Sequence, residues 1–224
     1  MANHVFFIHT VSGVVDLFKS LARELLPQAK VAHVADDGLI QQILAAGGLT
    51  PAIYRRVCDH VVAAEEAEAD VIQLTCSSIS PCVEVARHLV SVPLLKIDEP
   101  MADQAVDSFP RVGVIATNPA TLGPSADLVR ERARALGRAI QVDSVLCDGA
   151  YPAFLAGDMR THDEIVLGHL RDLMKRVDGV LLAQASMARL AEGLDGSDRR
   201  VPVLSSPRPA MERLARLLRG LADS

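Results

Sequence analysis

Cys76 has the clearest capacity for chemistry in this chain; it stands in Leu74-Thr-Cys-Ser-Ser-Ile79. A thiol among small hydroxyls, at the end of an aliphatic run and just before a Ser80-Pro81 helix start, can ionise near neutrality. It can then act as a base or a nucleophile. The competing reading is a small buried hydrophobe, as free cysteines often are. Cys58, Cys82 and Cys147 read as packing residues: Cys58 within a helical pattern, Cys82 one turn into the helix after Cys76, and Cys147 at a strand end. With no C-x-x-C pair the four cysteines make no disulfide framework, and Cys76-x5-Cys82-x5-His88 is not a zinc spacing, so no metal is expected. His9 and Thr10 close the first aliphatic run, where His9 is a candidate second acid/base. Thr117 and Asn118 close a later run in the same way. Threonine or asparagine at such a strand end can hydrogen-bond a carboxylate, although Asn118-Pro119 would cap a helix in any case. The patterns G-x-G-x-x-G, G-x-x-x-x-G-K-[ST] and G-x-S-x-G do not occur, so nicotinamide, P-loop and hydrolase-elbow readings lose support.

The elements that must position these residues are legible as an alternation. Short, nearly continuous aliphatic runs lie at His4–His9, Lys30–Val34, Asp70–Thr75, Val92–Ile97, Arg111–Thr117, Ile140–Leu146, Asp178–Ala183 and Val201–Ser205. Such runs read as parallel strands buried on both faces. Between them lie amphipathic stretches at Gly13–Leu26, Pro51–Glu68, Asp127–Leu136, Asp163–Arg176 and Pro209–Leu221. Strand–helix alternation predicts an α/β fold with right-handed crossovers. Thr50-Pro51, Ser80-Pro81, Asn118-Pro119 and Ser206-Pro207 read as helix starts, because proline fits the first helical position. Asp36-Asp37 and Asp98-Glu99 follow strands and read as caps.

The chain also repeats itself. His4-Val-Phe-Phe-Ile-His-Thr10 aligns with Arg111-Val-Gly-Val-Ile-Ala-Thr117, Asp70–Ile79 with Asp178–Met187, and Val92-Pro-Leu-Leu95 with Val201-Pro-Val-Leu204. The offsets, taken from Thr10 to Thr117, Asp70 to Asp178 and Val92 to Val201, are 107, 108 and 109. Three matches in the same order at a nearly constant offset predict two pseudo-symmetric domains, each a four-stranded parallel sheet flanked by helices, with a cleft between their carboxyl ends. The expected division is 1–98, with the C-terminal helix 207–224 packing back on it, and 99–206. The duplication aligns Cys76 with Gln184.

Composition narrows the function classes. Of 224 residues, 50% are hydrophobic and 23% charged, which suits a globular chain and not a disordered one. Twenty-three Lys and Arg against 28 Asp and Glu give a net charge of −5, and there are two Tyr, five Phe and no Trp. A nucleic-acid partner would want a basic face and stacking aromatics, so none is expected. No signal peptide and no run of about 18 apolar residues is read, so a cytoplasmic location without membrane partners is expected.

With these residues in place, the chain resembles the aspartate/glutamate/hydantoin racemase superfamily over nearly its whole length. The resemblance rests on the duplicated halves, on Thr75-Cys-Ser-Ser78, on Ala116-Thr-Asn-Pro-Ala-Thr121 and on Leu182-Ala-Gln-Ala-Ser-Met187. It implies two similar domains with the active site between them and no cofactor. It also implies a cysteine from each half beside the substrate's α-carbon, one removing a proton and the other delivering one to the opposite face. The first cysteine carries over to Cys76. The second position holds Gln184, which can hydrogen-bond but cannot serve as a general acid or base at neutral pH. Small polar residues at the strand ends bind the carboxylate in this family; here these places hold Thr10, Thr75, Ser77, Ser78, Thr117, Asn118, Gln184, Ala185 and Ser186. The expectation is therefore a cofactor-independent racemase or epimerase-type isomerase acting at the carbon α to a carboxylate, with Cys76 and His9 catalytic. The alternatives are a single-cysteine decarboxylase or isomerase of a small acid, an enzyme with a covalent cysteine intermediate, and a non-catalytic small-acid-binding protein. A small carboxylate is the expected partner, and a homo-oligomer is a family expectation.

Overall fold

The computed structural model describes residues 3–194 and 200–222. In chain order the elements are β1 (His4–His9), α1 (Val15–Leu25), β2 (Lys30–Ala35), α2 (Asp37–Ala46), α3 (Pro51–Glu66), β3 (Val71–Leu74), α4 (Val83–Ala86), β4 (Leu94–Lys96) and α5 (Glu99–Ser108). There follow β5 (Arg111–Ala116), α6 (Pro119–Ala135), β6 (Gln141–Leu146), α7 (Ala150–Leu155), α8 (Met159–Leu173), β7 (Gly179–Leu182), α9 (Ala188–Gly193), β8 (Val203–Ser205) and α10 (Pro207–Ala222). Single 3-10 segments follow β1, β3 and β7, at Ser12–Val14, Ser77–Cys82 and Ala185–Met187.

The chain divides into two compact units, Met1–Ile97 with Pro207–Ser224, and Asp98–Ser206. In the first, four parallel strands run in the order β2-β1-β3-β4, and α10 packs against α1. In the second the order is β6-β5-β7-β8, again all parallel. The expected fold class, two four-stranded parallel sheets flanked by helices, is the one observed.

The central strands explain themselves. β3 is buried at every position, as is β7, so both read as apolar runs, broken in β3 by one polar residue. The single polar residue of β3, Gln73, is satisfied within the sheet: its Nε2 donates to the carbonyls of Leu74 at 2.8 Å and Leu95 at 3.2 Å. In the second unit the strand side chains alternate between two cores. Ile115, Val180 and Leu182 join one with α8, while Val112, Val114 and Leu181 join the other with α5 and α6. Gly179 is required by packing, since a Cβ there would sit 2.4 Å from the ring of Phe109.

The helix starts divide into those that proline opens and one that it does not. Thr50 accepts a hydrogen bond from the Ile53 N–H with Pro51 beginning α3, and Asn118 accepts from the Thr121 N–H with Pro119 beginning α6. Pro207 begins α10. Ser80-Pro81 is the exception: Pro81 lies inside the 3-10 segment Ser77–Cys82, and the α-helix begins only at Val83. Cys82 therefore closes that segment and is not one turn into a helix. The stretch expected as helix from Asp127 is the second half of α6, whose interior Pro124 masks the beginning in the sequence. Among the described residues no helix is long and apolar enough to cross a membrane.

Candidate active site

The candidate residues collect at the carboxyl ends of β1 and β3 in the first unit, and of β5 and β7 in the second. The two sets are structural equivalents. In the first ladder Ile8 pairs with Leu74 and the Thr75 N–H donates to the Ile8 carbonyl at 3.0 Å. In the second, Ile115 pairs with Leu182 and the Ala183 N–H donates to the Ile115 carbonyl, also at 3.0 Å. Thr10 thus corresponds to Thr117, and Cys76 to Gln184. Cys76 and Gln184 also share a backbone conformation, φ −135° and ψ 125° against φ −123° and ψ 135°, each immediately preceding a 3-10 segment.

Cys76 is the one partly exposed cysteine; Cys58, Cys82 and Cys147 are buried. Its Sγ lies 2.9 Å from the Ser78 hydroxyl, which is itself buried. Burial pushes the Cys82 and Cys147 thiols up to about 12 and raises that of Cys58. Those three thiols are consistent with packing roles, and Cys76 is the thiol that a ligand could reach. Ser77 is buried beside it.

His9 departs from its expected place at a site mouth. It is fully buried, and its ring lies among Phe18 of α1, Phe7 and His33 of β2. Strand alternation puts Phe7 and His9 on one face, and α1 closes over that face. The polar atoms are spent internally. Thr75 Oγ1 donates its single proton to the Ile8 carbonyl at 3.1 Å and so accepts from His9 Nδ1 at 2.8 Å. His9 Nε2 then accepts from His33 Nδ1 at 2.9 Å. Burial, with His33 beside it, lowers the His9 pKa to about 4, so the ring is neutral at pH 7. His9 and Thr75 therefore tie β1, β2 and β3 together, and the side-chain polar atoms of both have partners within the sheet.

Asp36 departs from its expected role as a cap. It precedes α2, but its carboxylate reaches across to α3, accepting from Arg56 Nε and Nη2 at 2.7 Å each and from His60 Nε2 at 2.8 Å. Burial alone would raise its pKa, but the hydrogen bonds from His60 and Arg56 outweigh that and hold it below the ordinary value. Asp37 Oδ1 accepts from the Ser12 N–H at 2.7 Å and the Ser12 hydroxyl at 3.2 Å, fixing the loop that follows Thr10. Sequence reasoning missed these roles because each partner lies 20 or more positions away.

In the second unit Gln184 Oε1 accepts two hydrogen bonds from one residue, the Thr117 N–H at 2.6 Å and the Thr117 hydroxyl at 3.0 Å. A backbone N–H only donates, so the atom facing it is the amide oxygen, and the Gln184 amide is held in one orientation. Asn118 Oδ1 is occupied in capping α6, accepting from the Thr121 N–H and hydroxyl at 3.0 Å each. Ala185 and Ser186 follow in the 3-10 segment, both partly exposed. No group of three or more His, Cys, Asp or Glu placed to hold a metal ion occurs among the described residues.

Comparison with known proteins places this arrangement. The family model described as Asp/Glu/Hydantoin racemase matches residues 10–214. Among solved structures, glutamate racemase from Bacillus anthracis superposes with a TM-score of 0.76 at 15% identity, covering 98% of this chain and 82% of its own. Allantoin racemase from Klebsiella pneumoniae gives 0.72 at 17% identity, covering 99% and 89%. Aspartate racemase from Picrophilus torridus gives 0.68 at 15% identity, covering 96% and 95%. At these identities the likeness is one of fold. No curated protein matches in sequence.

Proposed function

The chain belongs to the Asp/Glu/hydantoin racemase family, and from that premise we propose that it is a cofactor-independent isomerase acting at the carbon α to a carboxylate, with Cys76 as its acid/base. The observation that carries the reading is the contrast among the thiols: Cys76 is partly exposed at a strand's carboxyl end with a hydroxyl at 2.9 Å, while the other three are buried. In the proposed step the Cys76 thiolate takes the α-proton. The electron pair of the C–H bond moves onto the carboxylate as an enediolate, and the Cys76 thiol can return the proton to the same carbon. Hydrogen-bond donors at the strand ends stabilise the added oxygen charge. Ser78 orients Sγ. His9, neutral and enclosed, acts as a positioning residue through Thr75, the residue that leads into Cys76, and is not itself an acid.

Gln184 stands where the duplication would place a second acid/base, and an amide moves no proton at neutral pH. Delivery of a proton to the opposite face of the carbanion thus falls to water or to a group other than Gln184. The comparisons lend the decarboxylase alternative no support. Binding without turnover is the second reading, and Gln184 in place of a second cysteine favours it.

Proton NMR in D2O tests both. The purified chain is mixed with amino acids, hydroxy acids, dicarboxylates and hydantoins, and the α-proton signals are followed. Loss of one α-proton signal with wild type and none with C76A is the expected result. Saturable binding with no exchange of any α-proton would replace the enzyme by a binding protein.

A further inference from the structure

The first unit carries a second pocket, of about 340 Å³, between α1 and β2. Lys19, Ala22, Arg23 and Leu26 line it from the helix side, and Val31 and His33 from the strand. Val31 lies near the amino-terminal end of β2, whereas Cys76 follows the carboxyl end of β3, so the pocket is separate from the candidate active site. The chain has a net charge of −5, yet two cations and an imidazole line this pocket, with no carboxylate among the described lining residues. Lys19 and Arg23 stand four positions apart and so share one face of α1. Arg23, in the last turn, also suits the helix dipole, but that effect fades within a turn and does not account for Lys19. Neither charge is spent within the protein. Arg23 has no ion pair among the described residues, and Lys19 has only Asp16, 3.8 Å away and itself 97% exposed. The basic groove of the second unit is the contrast. Arg111, Arg130 and Arg176 line it, but each is paired with an aspartate: Asp178 at 2.6 Å, Asp127 at 2.9 Å, and Asp143.

We propose that this pocket binds a phosphomonoester with a small apolar substituent, its phosphate held by Lys19 and Arg23 and its carbon portion on Ala22, Leu26 and Val31. The charge count selects the phosphate. Burial, with Lys19 beside it, lowers the His33 pKa, so the ring is neutral and the pocket carries two unspent positive charges. A phosphomonoester brings about −1.5 to −2 near neutral pH, whereas a monocarboxylate would leave one cation unmatched. The Arg23 guanidinium can take two phosphate oxygens at once, and Lys19 adds a point charge. His33 supplies an independent reason. Its Nδ1 donates to His9, which leaves Nε2 as a buried lone pair with no hydrogen-bond partner among the described residues. A phosphomonoester has its second pKa at about 6, so near neutrality it keeps one proton part of the time and can supply the donor that Nε2 lacks. Nε2 is closed to water, so that contact requires a lining side chain to turn; Lys19, half-exposed and loosely paired, is able to. The volume selects the substituent, because about 340 Å³ exceeds a bare phosphate and the rest of the wall is apolar. This site does not depend on the role of Cys76.

The experiment is two-dimensional NMR of the full chain at pH 7.5, titrated with n-butyl phosphate against sodium chloride at equal ionic strength. The His33 ring signals and the amides of Lys19, Arg23 and Val31 are expected to shift saturably, while the amide of Cys76 stays still. Affinity is expected to fall roughly tenfold in K19Q and in R23Q, the scale of one charge-assisted hydrogen bond. K175Q removes the same charge from an exposed position outside the pocket and should leave affinity unchanged. Two further titrations fix the ligand class. Inorganic phosphate lacks the carbon portion and should bind at least about fivefold more weakly. Butanoate keeps the carbon portion but carries one charge, and should bind at least about tenfold more weakly. No saturable shift at these residues, or shifts at Arg111 and Arg176 in their place, overturns the site. Inorganic phosphate or butanoate binding as tightly as butyl phosphate overturns the assignment of a phosphomonoester. The wild-type titrations decide each point even if a variant fails to fold, and none of them relies on α-proton exchange.

Discussion

Thr117 gives both of its donors, the N–H at 2.6 Å and the hydroxyl at 3.0 Å, to the single oxygen Oε1 of Gln184. Thr117 is 5% exposed, so water has little access to replace that acceptor. Q184L removes the acceptor and keeps the bulk. It is expected to lower unfolding free energy by about 1–3 kcal/mol, the cost of stranding buried donors. Q184E keeps an oxygen in place and should stay close to wild type. Urea unfolding at pH 7.5 measures both, and coincident wild-type and Q184L curves would show that the donors find another partner.

The four cysteines should separate cleanly by reactivity. At pH 8 a thiol with a pKa of about 12, as for Cys82 and Cys147, is thiolate to only about one part in ten thousand. Burial closes these two and Cys58 to reagent as well. A disulfide reagent such as dithiobis-nitrobenzoate is therefore expected to titrate one thiol rapidly in the native protein, none in C76S, and four in 6 M guanidinium. Two or more rapid thiols in the native state would remove the contrast on which the assignment of Cys76 rests.

His9 makes stability depend on pH in a defined window. Its folded pKa is about 4 against 6.5 when unfolded, so between these values the unfolded chain binds a proton that the folded chain excludes. Stability is therefore whole above pH 6.5, falls as pH drops toward 4, and levels off once the folded ring also protonates. The total from this residue is about 3 kcal/mol, the free-energy equivalent of a 2.5-unit difference. His33, lowered in the same direction by burial and by Lys19, adds to it. Urea midpoints measured from pH 7.5 to 4.5 should show this fall in wild type and a shallower one in H9Q. Parallel profiles would mean that His9 is protonated in the folded state.

Much of this architecture is legible from the chain, and the reason is physical. A strand buried on both faces is mostly aliphatic, so Val71–Leu74 and Gly179–Leu182 announce themselves even with Gln73 in the first. The repeat that relates Thr10 to Thr117 survives in the ladder as equal pairings of Ile8 with Leu74 and Ile115 with Leu182. What hides is anything decided by a partner distant in sequence. His9 looks like a rim residue until α1 brings Phe18 over it. Asp36 looks like a cap until α3 presents Arg56 and His60. Gln184 looks like a ligand for substrate until Thr117, 67 positions earlier, is seen to hold its oxygen. Local propensity finds the strand ends, but only the assembled sheet shows which polar atoms there are already spent.

The loop after Thr10 supplies a last test of how the first unit is preorganised. Asp37 Oδ1 takes the Ser12 N–H and hydroxyl from the start of α2, joining the ends of β1 and β2. Both residues are exposed, so the bond should contribute little to global stability, about 0.5–1 kcal/mol. Its effect should instead be local, because an exposed loop opens at a free energy well below that of global unfolding. D37A is expected to speed hydrogen exchange at the Ser12 amide by roughly five- to tenfold while the amides of β3 exchange as before. With an acid that exchanges its α-proton, the proposed function makes D37A raise KM about threefold or more and change kcat by less than about twofold, because the Ser12–Asp37 bonds order the loop after β1 and not Cys76. A fall in kcat with KM unchanged would mean that Asp37 acts on the reacting atoms and not through the loop after β1.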